Sequence, residues 1–294
     1  MLVDLHMHSI VSSDGEFTAK KLVEMAKGLG LEAIAIADHE SIASVEEGVY
    51  WGGKFGVEVI SACEIVVKHR EKTLHLLGYY IDTKNKKLLA LFNKVNENRK
   101  QVIDVQIEKL REAGFYLEKD KVMADCNYKI PVGGSYVNVI FADKRNIDNP
   151  IIKEYMKKDN YVIRFLFDYL NVGRPYYVPQ FVPEALDVIK IIEESGGVPI
   201  LAHPGSNLDE EETYIIDDLI KYGILGLEVY TSHHDEAKER YYFKYCQDNK
   251  LLYTCGSDFH GRFKPKVKMG NIKNNNYEVV EALKKLHINI MRDR

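Results

Sequence analysis

No apolar run in this 294-residue chain approaches the ~20 residues that a membrane-spanning helix needs, so a helical membrane protein is not expected. The opening Met-Leu-Val-Asp-Leu-His-Met-His-Ser does not read as a signal peptide. Cysteine is scarce: Cys63, Cys126, Cys246 and Cys255 stand far apart, with no Cys-x-x-Cys pair. That argues against a disulfide framework or thiolate zinc and fits reduced thiols in a cytoplasmic protein. An excess of one charge is also lacking. Forty basic residues against forty-four acidic ones leave −4, so no global basic field exists and duplex nucleic acid is not an expected partner. Repeats and low-complexity tracts are missing apart from a Lys/Asn-rich stretch at 264–276, read as a surface loop.

What is present is a globular composition. With 46% hydrophobic, 11% aromatic and 29% charged residues, the chain can bury a sizeable core and is not mainly disordered. Its length is about twice a usual ~150-residue domain, which predicts one barrel-sized domain or a domain carrying an insert. Short β-rich apolar runs alternate with helical stretches, the pattern of an α/β fold with a mainly parallel sheet. Strands are expected at 2–8, 33–39, 58–67, 73–81, 198–204, 226–231 and 251–260. Helices are expected at 18–29, 42–54, 183–195, 211–221, 235–248 and 276–286. The first starts at Thr18, a good N-cap, and sets Leu22, Met25, Ala26 and Leu29 on one face. From about 85 to 182 the alternation stops. Residues 86–112 carry one long helical pattern, a turn follows at Ala113-Gly114-Phe115, and Ile151–Leu170 reads as helix again. Residues 99–182 are therefore expected to form an inserted, mainly helical module within a body made of 1–98 and 183–294.

Metal-capable side chains recur at the ends of the apolar strands, where α/β barrels and open parallel sheets build their sites. His6 and His8 are two apart, so both leave one face of the first strand, and Asp258 and His260 repeat that spacing after the last. His39 ends the second strand, and its neighbour Asp38 must point elsewhere, as a partner that orients a ligand. Glu64 follows an apolar run, His75 lies within one, and His203 sits in an Ala-His-Pro corner. Asp14 lies in a Ser-Asp-Gly turn that can fold over the same mouth. Taken singly, each is more often structural. Six motifs sharing one address, the C-terminal end of a strand or the loop after it, point to metal ligation. His69, His233 and His287 read as surface histidines and Cys63 as core. His234, just after a strand end, is either a helix-end surface residue or a site residue.

Several stretches, read together, resemble the PHP (polymerase and histidinol phosphatase) family of metal-dependent phosphoesterases. They are Asp-Leu-His-Met-His-Ser from residue 4, Ser-Ser-Asp-Gly-Glu-Phe-Thr from 12, Ile-Ala-Asp-His-Glu-Ser from 36 and Ala-Cys-Glu-Ile from 62. Leu-His-Leu-Leu-Gly-Tyr from 74, Leu-Ala-His-Pro-Gly from 201, Leu-Glu-Val-Tyr from 227 and Gly-Ser-Asp-Phe-His-Gly from 256 complete the set. The resemblance implies a distorted, seven-stranded, TIM-like β/α barrel with three divalent metal ions at the C-terminal ends of its strands. By the same resemblance His6, His8, Glu64 and Asp258 would hold one ion. Glu64, bridging, would hold the second with His75 and His203, and Asp14, His39 and His260 would hold the third. The insert resembles that of the branch acting on nucleoside bisphosphates and short oligonucleotides, where a helical module leans over the barrel mouth. In mid-insert this chain reads Gly133-Gly134-Ser135-Tyr136 in place of that branch's Gly-Arg-Pro-His-like element. Arg174, Arg99 and Arg164 are the candidates to replace the missing cation.

Imidazole and carboxylate ligands without thiolate suit Mn, Fe or Zn better than Mg. Three divalent ions bring six positive charges; Asp14, Glu64 and Asp258 remove three and a bridging hydroxide one. About +2 remains to attract a phosphate dianion. The expected chemistry is in-line attack on phosphorus by metal-activated hydroxide, with Asp258 as proton acceptor and His234 on a phosphate oxygen or the leaving group. The expected substrate is a small phosphorylated metabolite, a nucleotide or a short oligonucleotide. Two other readings compete: a metal-dependent amide or C–N hydrolase, and a non-catalytic, metal-stabilised module.

Overall fold

The computed structural model describes residues 2–126, 129–292 and 294. The chain forms two compact units, one from the residues up to Phe92 together with those from Val182 onward, the other from Asn93–Phe181.

The first unit is built on seven strands in sequence order: β1 (Leu2–Met7), β2 (Leu31–Ile36), β3 (Glu58–His69), β4 (Lys72–Tyr79), β5 (Val198–Leu201), β6 (Gly226–Thr231) and β7 (Leu252–Gly256). Its sheet closes almost completely. His8 N donates to Phe259 O at 2.9 Å and Asp258 N to His6 O at 2.8 Å, joining β1 to the segment after β7. Side-chain alternation along β1 sends Val3, Leu5 and Met7 outward into the core and Asp4, His6 and His8 inward, all fully buried. Around the barrel run α1 (Ala19–Gly28), α2 (Val45–Phe55), the start of α3 (Lys86–Glu112), then α8 (Ala185–Glu194), α9 (Thr213–Tyr222), α10 (Glu236–Asn249) and α11 (Glu278–Arg292). The start of α1 follows from Thr18, whose side chain accepts from Lys21 N at 3.2 Å. Its apolar stripe, Leu22, Val23 and Ala26, packs with Met7, Ile34 and Ile36.

The sheet is mainly parallel as expected, and two details go beyond the sequence reading. The pairs β3–β4 and β4–β5 are antiparallel, and the other four pairs are parallel. The physical reason is length: a parallel crossover needs a dozen or more residues, and only Arg70 and Glu71 separate β3 from β4. His75 therefore sits near the beginning of β4, yet its carbonyl accepts from Ala202 N just past the end of β5, the same end of the barrel as the other strand termini. The 264–276 stretch is also more than a surface loop. Asn275 is buried, its Nδ2 donating to Val3 O at 3.0 Å and its carbonyl accepting from Val3 N at 2.8 Å.

The second unit is helical: the rest of α3, then α4 (Lys119–Asp125), α5 (Gly133–Ala142), α6 (Pro150–Tyr155) and α7 (Tyr161–Phe165). Its own core joins Ile103, Ile107, Leu110, Phe115, Val137, Ile140 and Phe165. The continuous helix expected over 151–170 is broken: Asn160 adopts φ 55°, and a π-helical turn, Leu166–Leu170, follows α7. Tyr136 is a core residue of this unit. Among the described residues no helix is long and apolar enough to cross a membrane.

Candidate metal centre

Strand alternation brings the His6 and His8 rings to one side of β1, where their Nε2 atoms lie 3.2 Å apart. Glu64 Oε2 approaches them at 3.3 and 3.2 Å, and Asp258 Oδ1 at 3.5 and 3.1 Å. Two imidazole nitrogens facing each other beside two carboxylate oxygens need a cation or protons between them. Four tetrahedral ligands about 2.1 Å from one centre stand about 3.4 Å apart, close to this spacing. The other oxygen of Glu64, Oε1, meets His75 Nδ1 at 2.8 Å and His203 Nε2 at 3.0 Å. A third group gathers His8, Asp14, His39 and His260, with Asp14 Oδ2 at 3.4 Å from His260 Nε2 and 3.8 Å from His39 Nε2. Asp14 is presented by a turn so tight that a Cβ on Gly15 would run into Ser9 O.

The polar atoms fit divalent cations. Asp14 Oδ1, His39 Nδ1 and His203 Nδ1 are buried without a hydrogen-bond partner, although His39 Nδ1 stands 3.2 Å from Glu64 Oε2. Such orphans are costly unless a ligand answers them. Nitrogen and oxygen donors without thiolate suit a borderline transition metal. In the metal-free chain, burial opposes charge on Glu64, but His6, His75 and His39 outweigh it and hold the carboxylate well below its usual range. Asp258 behaves alike, burial being outweighed by His6, His233 and His8. Burial would also strip the proton from His8, yet Asp258 and Glu64 prevail and push it up to about 9. His39 goes the other way: burial dominates and lowers it to about 4.

The surroundings fix these groups. Asp38 points away from the cluster and accepts from Ser9 N, Ser9 Oγ and Ser12 Oγ at 2.8, 2.7 and 2.9 Å, and from Ser44 Oγ. Ser12 Oγ in turn lies 3.2 Å from His8 Nδ1 and accepts from His39 N at 3.0 Å. Asp4 accepts from Ser257 N, Ser257 Oγ and Gly270 N at 2.8, 2.6 and 2.8 Å, anchoring the turn that carries Asp258. His203 and Asp258 both adopt positive φ, 25° and 56°, so they belong to tight turns beyond β5 and β7 rather than to the strands.

Two neighbouring histidines lie otherwise than expected. His234 is turned from the cluster: its Nδ1 donates to Val229 O at 2.8 Å, its Nε2 accepts from Gly205 N at 2.9 Å, and its ring stacks on Tyr242. No ring nitrogen is left for substrate, which corrects the expectation of a catalytic or substrate-binding His234. His233, read from sequence as a surface residue, instead reaches Asp258 Oδ2 at 2.6 Å, with its ring 4.7 Å from His203. Lys264 Nζ contacts the same oxygen. Glu228, on β6, accepts from His6 Nδ1 at 2.9 Å. Sequence reasoning missed Glu228, although a lone acid in an otherwise apolar strand was a usable signal. Arg99 lies on α3 and Arg174 in the exposed turn before Tyr177; both belong to the second unit, whereas the gathered residues belong to the first.

Residues 4–113 match the PHP domain family. A phosphoribosyl 1,2-cyclic phosphate 1,2-diphosphodiesterase of Eggerthella lenta is 26% identical over 272 residues, covering 90% of this chain and 95% of that protein. A 3',5'-nucleoside bisphosphate phosphatase of Chromobacterium violaceum is 26% identical over 88% of this chain and 87% of its own. A 5'-3' exoribonuclease of Haemophilus influenzae is 24% identical over 87% and 89%. Among solved structures, an amidohydrolase from Chromobacterium violaceum superposes with a TM-score of 0.80 at 22% identity, over 97% of both chains. At that identity the likeness is one of fold. The family match takes in the region of the first four strands, and the relatives align along nearly the whole chain at 24–26% identity, so the chain is similar to PHP-domain proteins over most of its length.

Proposed function

We propose that the protein is a metal-dependent phosphoesterase that hydrolyses a phosphate ester of a small phosphorylated metabolite or nucleotide. The observation that carries this reading is the convergence of His6, His8, Glu64 and Asp258 on one point, with Glu64 turning its second oxygen to His75 and His203. On this reading three divalent ions, Mn, Fe or Zn, would be held by the three groups, with Asp14, His39 and His260 supplying the third. Such ions polarise phosphoryl oxygens and make water acidic enough to ionise near neutral pH.

The chain's own residues then divide the remaining work. Asp258 has one oxygen toward His6 and His8 and the other toward His233 and Lys264, and the second accepts the proton of the attacking water. His233, 28% exposed and 2.6 Å from that oxygen, passes the proton on to the leaving oxygen of the ester. Lys264 brings a fixed positive charge to the same place, where a phosphoryl oxygen gains most from it. Arg99 and Arg174 are proposed to meet the distal part of the substrate. The named relatives act on a cyclic phosphate, a nucleoside bisphosphate and RNA, which supports a phosphate ester on a ribose as the substrate class. Four buried free thiols support a reducing, cytoplasmic setting.

The test is a phosphate-release and chain-cleavage screen of Mn-reconstituted protein. The panel holds mononucleotides, nucleoside bisphosphates, a ribose cyclic phosphate, short RNA and histidinol phosphate, with cyclic amides as controls. Turnover of at least one phosphoester is expected. Amide turnover alone would transfer the protein to C–N hydrolysis, and metal uptake with no turnover anywhere would make it a non-catalytic module.

A further inference from the structure

Glu228 stands behind the cluster rather than in it. It is fully buried on β6, a strand that carries none of the nine candidate ligands. Its Oε1 lies 2.9 Å from His6 Nδ1, and its Oε2 accepts the backbone N–H of His203 at 3.0 Å. His6 points its other nitrogen at His8, Glu64 and Asp258, and His203 points its Nε2 at Glu64. One carboxylate thus holds the imidazole of one histidine and the backbone of another, each from a different donor group. With the Nδ1 proton engaged by Glu228, His6 offers the Nε2 lone pair to a cation. His203 needs support of another kind. Its φ of 25° lies outside the ordinary basins, and such a backbone persists only where neighbours hold it. The hydrogen bond that its N–H donates to Glu228 is such a hold.

We propose that Glu228 is a positioning residue, whose carboxylate fixes the tautomer of His6 and the strained turn of His203 so that both imidazoles are aimed at the bound cations. This rests on the metal-centre reading above. An amide cannot replace it: glutamine offers one acceptor and one donor group where two N–H groups arrive, so one of them meets a donor.

Glu228→Gln is therefore expected to weaken binding of Mn²⁺ alone by about 10–100-fold, read by competition with a chelator in the absence of substrate. Tyr79→Phe is the structural control. It removes a buried hydrogen bond to Leu5 O in the same barrel interior, and is expected to lower the melting temperature while leaving Mn²⁺ affinity within a factor of about two. If the unaltered protein takes up no Mn²⁺, the metal-centre reading itself fails. If it binds and folded Glu228→Gln binds equally well, the positioning role is overturned and that reading stands. Should Glu228→Gln not fold, Glu228→Asp, with the charge kept but the reach shortened, is titrated instead. A several-fold loss supports the role, and wild-type affinity overturns it.

Discussion

At the scale of single residues, Glu64 is the most exposed to test because both its oxygens are engaged. Glu64→Gln keeps the shape and removes the charge. Metal content and turnover are expected to fall together, turnover by at least ~100-fold, as measured by elemental analysis beside phosphate release. Full occupancy with full rate would take Glu64 out of the site. Proton linkage gives an independent check. In the metal-free chain His8 is raised from its ordinary 6.5 to about 9, so its proton stabilises the fold below 6.5 and that contribution is lost as pH rises through 9. A cation must displace this proton. Apparent metal affinity should therefore climb by up to about tenfold per pH unit across that window and level off above it; a flat chelator-competition profile would be incompatible with His8 as a ligand. His233→Asn and Lys264→Met are expected to lower kcat by about 10–100-fold with metal content unchanged, the signature of groups that serve the reaction rather than the cations. Nine positions were visible in the sequence because strand alternation and strand ends give ligands a regular address. The His233/His234 pair was not, because residues 232–235 form a turn before α10, and neither the strand nor the helix period runs through it to say which ring faces inward.

At the scale of elements, the seam between β1 and β7 decides whether the ligands meet. Seven strands and their order were legible from apolar runs and turn residues. The direction of β4 was equally available from the two-residue link at Arg70-Glu71, but periodicity alone does not report it. The closure is less legible still. It depends on Asp4 and Asn275, distant in sequence, which tie the last segments of the chain to β1. Gly256 marks how close the strands come: a Cβ there would run into His6 Cβ and come within 2.6 Å of Glu228 Oε1. Gly256→Ala is expected to cost about 1–3 kcal/mol of stability through this overpacking. It should also lower metal affinity more than substitution of an outward-facing residue of equal cost. Urea denaturation combined with metal titration reads both, and a Gly256→Ala chain with unchanged midpoint and affinity would show that the seam can give way.

At the scale of the whole molecule, the candidate metal centre lies within one of the two units. All nine candidate ligands lie in the barrel, whereas Asn93–Phe181 carries a core of its own built on Ile103, Leu110, Phe115, Val137 and Phe165. A unit with a separate core can be removed without opening its neighbour's. Replacing Asn93–Phe181 by a short Gly/Ser linker, a cut made within α3, should therefore leave metal stoichiometry and the pH dependence of loading intact. Substrate preference is another matter. If this unit governs access to the site, as the resemblance of the insert implies, its removal discards contacts worth ~1–3 kcal/mol to one substrate over another. The ratio of kcat/KM between a mononucleotide and a short RNA should then change by about tenfold or more. Loss of metal uptake in a folded barrel would mean that the two units are not independent. Intact metal binding with an unchanged substrate ratio would leave the helical unit without a part in selection and return that role to Lys264 and the other side chains of the barrel.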